Sequence, residues 1–305
     1  MRAHLLGVRG SLPAPGPSFV RYGGNTSCVA LAHDALAPTL VLDAGTGLRG
    51  LTATLAGSPF DGSLLLTHLH WDHVEGLPFC EAVDRQQTRC DLYLPGQPGG
   101  TDAESVLARM MSPPNFPIGP EGLLGSWTFS SLKPGQYELE GFSVTAEEIA
   151  HKGGTTYGYR ITDGSSSLAY LPDHCPTSYG PGPDRWGEFP RAVEELVGGV
   201  DVLIHDAQLT ADQLPEGAAF GHAAMEYAVA LGRYAGVSTV VLFHHSPNRT
   251  DEQLDEVADR YRSHVDPFVV VAVEDTVIEC RAGASQRSFL FDRKGSAPSP
   301  RSSTT

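Results

Sequence analysis

The chain has 305 residues, enough for one large domain or two modest ones, and its 41% hydrophobic content with 34 Gly and 23 Pro excludes a fibre or coiled coil and suits a loop-rich globular enzyme. It carries 21 basic against 36 acidic residues, a formal charge of −15, which disfavours a long phosphate-backbone partner unless a local basic patch exists. No run of about 18 apolar residues is present, so no membrane span is expected, and Met1–Gly10 lacks the apolar core of a secretory signal. Cys28, Cys80, Cys90, Cys175 and Cys280 are scattered and free of CxxC spacing, so they read as reduced packing thiols of a cytoplasmic protein.

Short strands separated by Gly/Pro turns are expected first, over His4–Val8, Cys28–Ala32, Thr39–Leu42 and Leu64–Thr67. The turn Asp43-Ala44-Gly45-Thr46-Gly47 lacks both the Lys-Ser/Thr ending of a phosphate-cradling loop and the spacing of a dinucleotide fingerprint. Next comes the densest chemistry in the chain, Thr67-His68-Leu69-His70-Trp71-Asp72-His73, directly after the apolar run Ser63-Leu64-Leu65-Leu66. His68 and His70 are two apart, so an extended backbone points both the same way, while Asp72 and His73 follow the turn and can face a second point. One strand end could therefore serve two metal ions, and imidazole with carboxylate suits Zn, Mn or Fe. Helices are expected over Val74–Ala82 and Asp102–Met111, and the segment 112–120, with Pro at 113, 114, 117 and 120, is either a connector or a lid over a site.

The second half repeats the scheme. Ser143–Ile149 alternates as a strand, Tyr157–Ile161 and Ser167–Leu171 form a hairpin, and Val200–His205 is an apolar strand. An amphipathic helix spans Phe220–Ala235, a buried strand Val237–Phe243, a charged helix Asp251–Arg262, and a strand Pro267–Ala272. This pattern predicts one α/β domain over residues 1–282, two sheets packed between helices, in halves of about 1–142 and 143–282, followed by a polar, disordered tail over 283–305. Three further candidate ligands sit at ends of apolar strands: His151, Asp173 and His244.

Taken in order, the HxHxDH cluster, His151, Asp173 and His244 resemble the ligand motifs of the metallo-β-lactamase fold, a four-layer αββα sandwich. The likeness covers roughly residues 1–275 and is closest to the phosphodiesterase branch, which includes RNase Z-like enzymes and phosphoribosyl cyclic phosphodiesterases. Supporting stretches are Gly158-Tyr159-Arg160, Leu203-Ile204-His205-Asp206-Ala207, Gly221-His222-Ala223-Ala224 and Leu242-Phe243-His244-His245-Ser246-Pro247, with Gly7-Val8-Arg9-Gly10-Ser11 and Tyr22-Gly23-Gly24-Asn25-Thr26-Ser27-Cys28 near the start. The resemblance implies two divalent ions, zinc foremost and Mn or Fe as alternatives. One would take His68, His70 and His151, the other Asp72, His73 and His244, with Asp173 bridging. It also implies hydrolysis by a hydroxide shared between the ions, with Asp72 and His222 as catalytic residues and His222 the proton donor. Ala223 and Ala224 stand where that branch carries Ser or Thr, so hydroxyl assistance is absent.

The remaining histidines take other expectations. His205 would orient a ligand from behind, His245 could swap roles with His244, whose spacing from Leu242 fits the family motif better, and His174 would be a substrate contact or exposed. His4, His33 and His264 would be structural or surface residues. Only 21 residues separate His151 from Asp173, room for a hairpin and not for a tRNA-gripping arm. The expected substrate is therefore a small anionic (cyclic) phosphodiester, with no membrane partner, a long nucleic acid disfavoured and a homodimer left open. The alternatives are a tRNA 3′-processing endoribonuclease, a lactone, β-lactam or thioester hydrolase of the same fold, and a metal-binding protein without catalysis.

Overall fold

Two seven-stranded sheets carry the fold of the computed structural model, which describes residues 1–281; the tail expected over 283–305 lies outside them. The first sheet runs β1 (Arg2–Gly7), β2 (Cys28–Ala32), β3 (Leu40–Leu42), β4 (Asp61–Leu65), β5 (Arg89–Pro95) and β6 (Ser126–Leu132), with β14 (Thr276–Glu279) outside β1. The second runs β7 (Gly135–Leu139), β8 (Phe142–Ile149), β9 (Thr156–Thr162), β10 (Ser167–Leu171), β11 (Val202–Asp206), β12 (Thr239–Phe243) and β13 (Phe268–Val271). In each sheet an antiparallel portion passes into a parallel one, at β3 and at β10 respectively. The chain changes sheets between Leu132 and Gly135, earlier than a boundary near 142, and β14 returns from the second half to the first sheet.

Pleating explains why the central strands are apolar throughout. Leu65 points into the core between the sheets, with Leu31 and Leu42 of its own sheet and Val144, Tyr159 and Ile204 of the other. Leu64 and Leu66 point the opposite way, into a second core under the helices α1 (Gly50–Thr54) and α2 (Ala103–Ala108). A strand covered on both faces reads as a continuous hydrophobic run, and truncating Leu65 to Ala would cost about 2–5 kcal/mol. The second sheet is covered in the same way by α3 (Arg191–Val197), α5 (Met225–Tyr234) and α6 (Asp251–Tyr261), while α4 (Leu214–Gly217) is one short turn. The order of layers is αββα. No helix among the described residues is long and apolar enough to cross a membrane.

Three expected elements differ. Val74–Ala82 is not a helix; two 3₁₀ turns, Trp71–His73 and Leu77–Phe79, take its place. Gly76 and Pro78 lie in its middle, and Pro78 has no N–H to donate and clashes with the preceding turn. The helix expected from Phe220 begins at Met225, because Gly221 closes a 3₁₀ turn in the left-handed region at φ 94°. His222 therefore stands on the connection before the helix, free to face a pocket. The helix expected over Asp102–Met111 is shortened to Ala103–Ala108, with the Asp102 carboxylate accepting from Ser105 N–H as its cap.

Candidate metal centre

The parallel registers put the chemistry on one edge. Leu171 pairs with His205 and Asp206 with Phe243, so β10, β11 and β12 end level with each other. Asp173, Asp206 and His244 follow at those ends, and His151 follows β8. The facing sheet contributes Thr67–His73 from the end of β4, so the cluster straddles the two sheets.

The His68, His70 and His151 rings form one triangle, with centroids 4.4 Å apart for His68–His70 and 5.0 Å for each other pair. His151 Nδ1–H donates to the Gly221 carbonyl at 2.8 Å, which turns the Nε2 lone pair inward, 3.2 Å from His70 Nδ1. Burial pushes the pKa of all three imidazoles down, which keeps them neutral and able to ligate. Asp72, His73 and His244 form a second group: Asp72 Oδ2 lies 3.3 Å from His73 Nε2 and 3.1 Å from His244 Nε2. Asp173 stands between the groups. Its Oδ2 is 2.8 Å from His73 Nε2 and 3.1 Å from His244 Nε2, while its Oδ1 is 3.4 Å from His151 Nε2. All seven expected ligands are thus brought together, in triads whose donor atoms lie within 4.8 Å of one another.

The donor set fits cations. His68 Nε2 is buried with no hydrogen-bond partner among the described residues, and His73 Nε2 and Asp173 Oδ2, although 2.8 Å apart, make no well-formed hydrogen bond with each other or with another described residue. Such orphaned atoms are costly unless something else meets their lone pairs. Burial disfavours charge on His73, yet Asp72, Asp43 and Asp173 outweigh it and push its pKa well up. Three carboxylates around one imidazole call for positive charge at that spot. Burial alone would likewise raise the Asp173 carboxyl, but His244, His73 and His151 hold it well below the usual range.

Four supporting residues escaped the sequence reading. Asp43 is fully buried and accepts from Thr67 N–H at 2.7 Å, Thr67 Oγ1, Tyr170 Oη at 3.0 Å and His73 Nδ1 at 2.8 Å. It fixes the tautomer of His73 with the proton on Nδ1 and the lone pair on Nε2. Ser11 N–H donates to Asp72 Oδ2 at 2.6 Å. Gln208 places its side-chain amide 3.2 Å from His244 Nδ1 and 3.1 Å from Ser11 Oγ. Asp206 accepts from His222 Nδ1 at 3.0 Å and from three backbone N–H groups, those of His174, Gln208 and Ala223. The rule that singled out Asp173, an acidic residue directly after an apolar strand, applies equally to Leu40-Val41-Leu42-Asp43 and would have found Asp43.

His222 sits 3.5 Å from Asp173 Oδ1, with Nδ1 taken by Asp206, so Nε2 is the nitrogen left for a substrate. Burial opposes its charging, but Asp206 by charge and hydrogen bond, then Asp173 and Asp72, raise its pKa to about 9. His174 is neither exposed nor a substrate contact: it is fully buried, with Nδ1 3.1 Å from His205 Nε2. Burial removes both alternatives expected for it. His205 bonds that ring and the Asp206 carbonyl, and no hydrogen bond links its ring to any of the seven ligands. His245 turns away from the cluster to the Ala272 carbonyl at 2.9 Å. Residues 112–120 do not line the ligand pocket; that cavity, of about 430 Å³, is bounded by Ser11, Leu69, Trp71, Gln208, Phe220 and His222 besides the candidate ligands His70, Asp72, His151 and Asp173.

A buried imidazole–carboxylate cluster at facing strand ends of an αββα sandwich defines a metal-dependent hydrolase. Residues 39–245 match the family model described as beta-lactamase superfamily domain, and the chain belongs to that superfamily. It is 25% identical over 315 residues to a ribonuclease Z of Haloarcula marismortui, covering 89% of this chain and 94% of that one. It is 26% identical to a ribonuclease Z of Salinibacter ruber, covering 80% and 86%. Among solved structures, the metallo-β-lactamase-fold protein YhfI from Bacillus subtilis aligns with a TM-score of 0.65 at 18% identity, covering 91% of this chain and 99% of that one. A diphosphatase from the PhnP family aligns at 0.61 and 19% identity, covering 92% and 99%. At these identities the solved structures speak for the fold.

Proposed function

We propose that this protein is a phosphodiesterase acting on a small, cyclic or otherwise compact, phosphodiester with two divalent cations, zinc foremost and Mn or Fe accepted by the same donors. His68, His70 and His151 would hold one ion and Asp72, His73 and His244 the other, with the two oxygens of Asp173 divided between them. Bound there, such a pair supplies Lewis-acid stabilisation of phosphoryl oxygens and a nucleophile from water at neutral pH.

The observation that carries the reading is the Asp206–His222 pair beside Asp173 Oδ1. An alkoxide leaving from phosphorus needs a proton, and a positioned acid contributes about 10²–10⁴ in rate. Asp206 fixes Nδ1 as a donor toward itself and favours the charged ring, so Nε2 carries the transferable proton. Where cations offset Asp72 and Asp173, Asp206 remains as the residue that sustains this charge. Gln208 and Ser11 hold Asp72 and His244 in place from the other side. The pocket of about 430 Å³ matches the roughly 300–1,000 Å³ of small-molecule sites. The formal charge of −15 discourages a long polyanion. The five cysteines are all free and buried, which supports a cytoplasmic setting.

A tRNA 3′-processing endonuclease is the second reading, favoured by relatives named ribonuclease Z that align over most of this chain. Against it, the stretch from His151 to Asp173 is filled by the β9–β10 hairpin alone. The test is a panel at fixed metal: a chromogenic bis-aryl phosphodiester, a cyclic nucleotide, a precursor tRNA, a lactone and a β-lactam. Turnover of the diester and the cyclic nucleotide above the rest is expected. Turnover confined to lactone or lactam would overturn the reading, and cleavage confined to precursor tRNA would replace it with the second.

A further inference from the structure

A second cavity, of about 180 Å³, adjoins the ligand pocket, and Trp71 lines both. Apart from Glu75 its other walls are apolar, with Val74, Leu107, Met110, Phe79 and Phe116 foremost. Phe79 and Phe116 meet edge to face at 5.7 Å, so the Pro-rich segment 112–120 serves as a wall here and not as a lid over the metal centre. Trp71 and Phe79 leave 75% and 62% of their surface to water. Large exposed aromatics lining one cavity mark a binding surface more often than a packing fault. The Trp71 backbone is held beside the candidate metal centre, because its neighbours in sequence are His70 and Asp72.

Size and chemistry narrow the occupant. A cavity of roughly 150 Å³ lined by Leu, Ile and Phe accepts benzene, so this one takes a single ring. Aromatic faces and a methionine thioether favour an aromatic ring over an alkyl chain. Among the described residues Glu75 is the only charged one of the wall, and its sign turns away an anionic group. We propose that this cavity is a substrate subsite that receives one aromatic ring of the ester group while the adjoining metal centre holds the phosphoryl group. The proposal rests on the phosphodiesterase reading and names the class of diester: one whose ester group carries an aromatic ring close to phosphorus, such as an aryl ester.

Calorimetric titration of the metal-reconstituted, full-length protein with phenylphosphonate and with methylphosphonate tests it without turnover. Phenylphosphonate is expected to bind at least about tenfold more tightly, as burial of a ring implies. Met110→Ala and, independently, Phe116→Ala, whose side chains line this cavity and not the ligand pocket, should bring the preference below about threefold while methylphosphonate affinity holds. Equal affinities in the unmodified protein, binding of neither phosphonate, or a preference that survives both substitutions would overturn the subsite. Diester turnover measured alongside separates the two claims. Turnover with equal affinities removes only the subsite. A phenyl preference without turnover of any diester removes the phosphodiesterase reading and leaves the ring site standing.

Discussion

Replacing Asp43 by Asn probes the metal centre without touching a ligand. As a carboxylate, Asp43 is acceptor-only, and four donors converge on it from Thr67, His73 and Tyr170. Its Oδ2 alone faces His73 Nδ1 at 2.8 Å and Tyr170 Oη at 3.0 Å. An amide keeps one acceptor oxygen and turns the other position into a donor, so at least one buried donor must lose its partner. That loss is worth about 1–3 kcal/mol. Asn tolerates the left-handed backbone found here, φ 58°, so the effect reports the hydrogen bonds and not strain. Freed of its anchor, His73 can place its proton on Nε2, and loss of such an outer partner weakens metal binding by about 10–100-fold. The assay is a competition titration with a chromophoric chelator, with thermal unfolding in parallel. An Asp43→Asn protein that binds two equivalents of metal as tightly as the parent and melts at the same temperature would refute the reasoning.

Three further outcomes are expected. His222→Ala should slow an alkyl-leaving diester by about 10²–10⁴ but a nitrophenyl-leaving one by under about tenfold, because nitrophenolate departs without a proton; equal losses in steady-state kcat would show that His222 only shapes the pocket. Gly10→Ala would set a Cβ 2.4 Å from both His244 Nδ1 and Cε1, so metal analysis should show weakened occupancy, while normal occupancy would mean the β1 loop can retreat. Asp163, whose carboxylate accepts from Ser165 N–H at 2.9 Å and Ser166 N–H at 2.8 Å, supports the β9–β10 turn. Its burial pushes the pKa up, but the Ser165 N–H and the bonds around it bring the folded value below the usual carboxylate range. The folded pKa is thus depressed, so its contribution is full above an unfolded value of about 3.9 and fades as pH falls further. Urea unfolding of Asp163→Asn should show a deficit at pH 7 that shrinks in acid; a deficit that does not change with pH would contradict this.

The candidate ligands could be picked out because each follows a strand whose apolar run is unmistakable: Leu64–Leu66 before His68, Leu168–Leu171 before Asp173, Val240–Phe243 before His244. Doubly covered strands advertise themselves, and in an α/β sheet their ends are where chemistry collects. The strands β6 and β7 were not legible, since edge strands such as Ser126–Leu132 and Gly135–Leu139 carry half-exposed, polar patterns. The helix expected over Val74–Ala82 does not form because Gly76 and Pro78 interrupt it. Gln208 and Asp206 were missed for another reason: their task depends on which ring nitrogen lies 3 Å away, and spacing along the chain holds no trace of that. The burial of His174 is of the same kind, a consequence of β10 and β11 lying side by side.

The central claim is a two-cation centre that cleaves a phosphodiester. Its most direct test is stepwise reconstitution of chelator-treated, full-length protein with Zn or Mn, recording bound metal per chain and hydrolysis of a bis-aryl phosphodiester at each addition. The account predicts occupancy that saturates at two ions and a rate that rises fully only as the second is taken up. Protein that holds two ions and turns over no diester, or that saturates below one ion per chain, would contradict it.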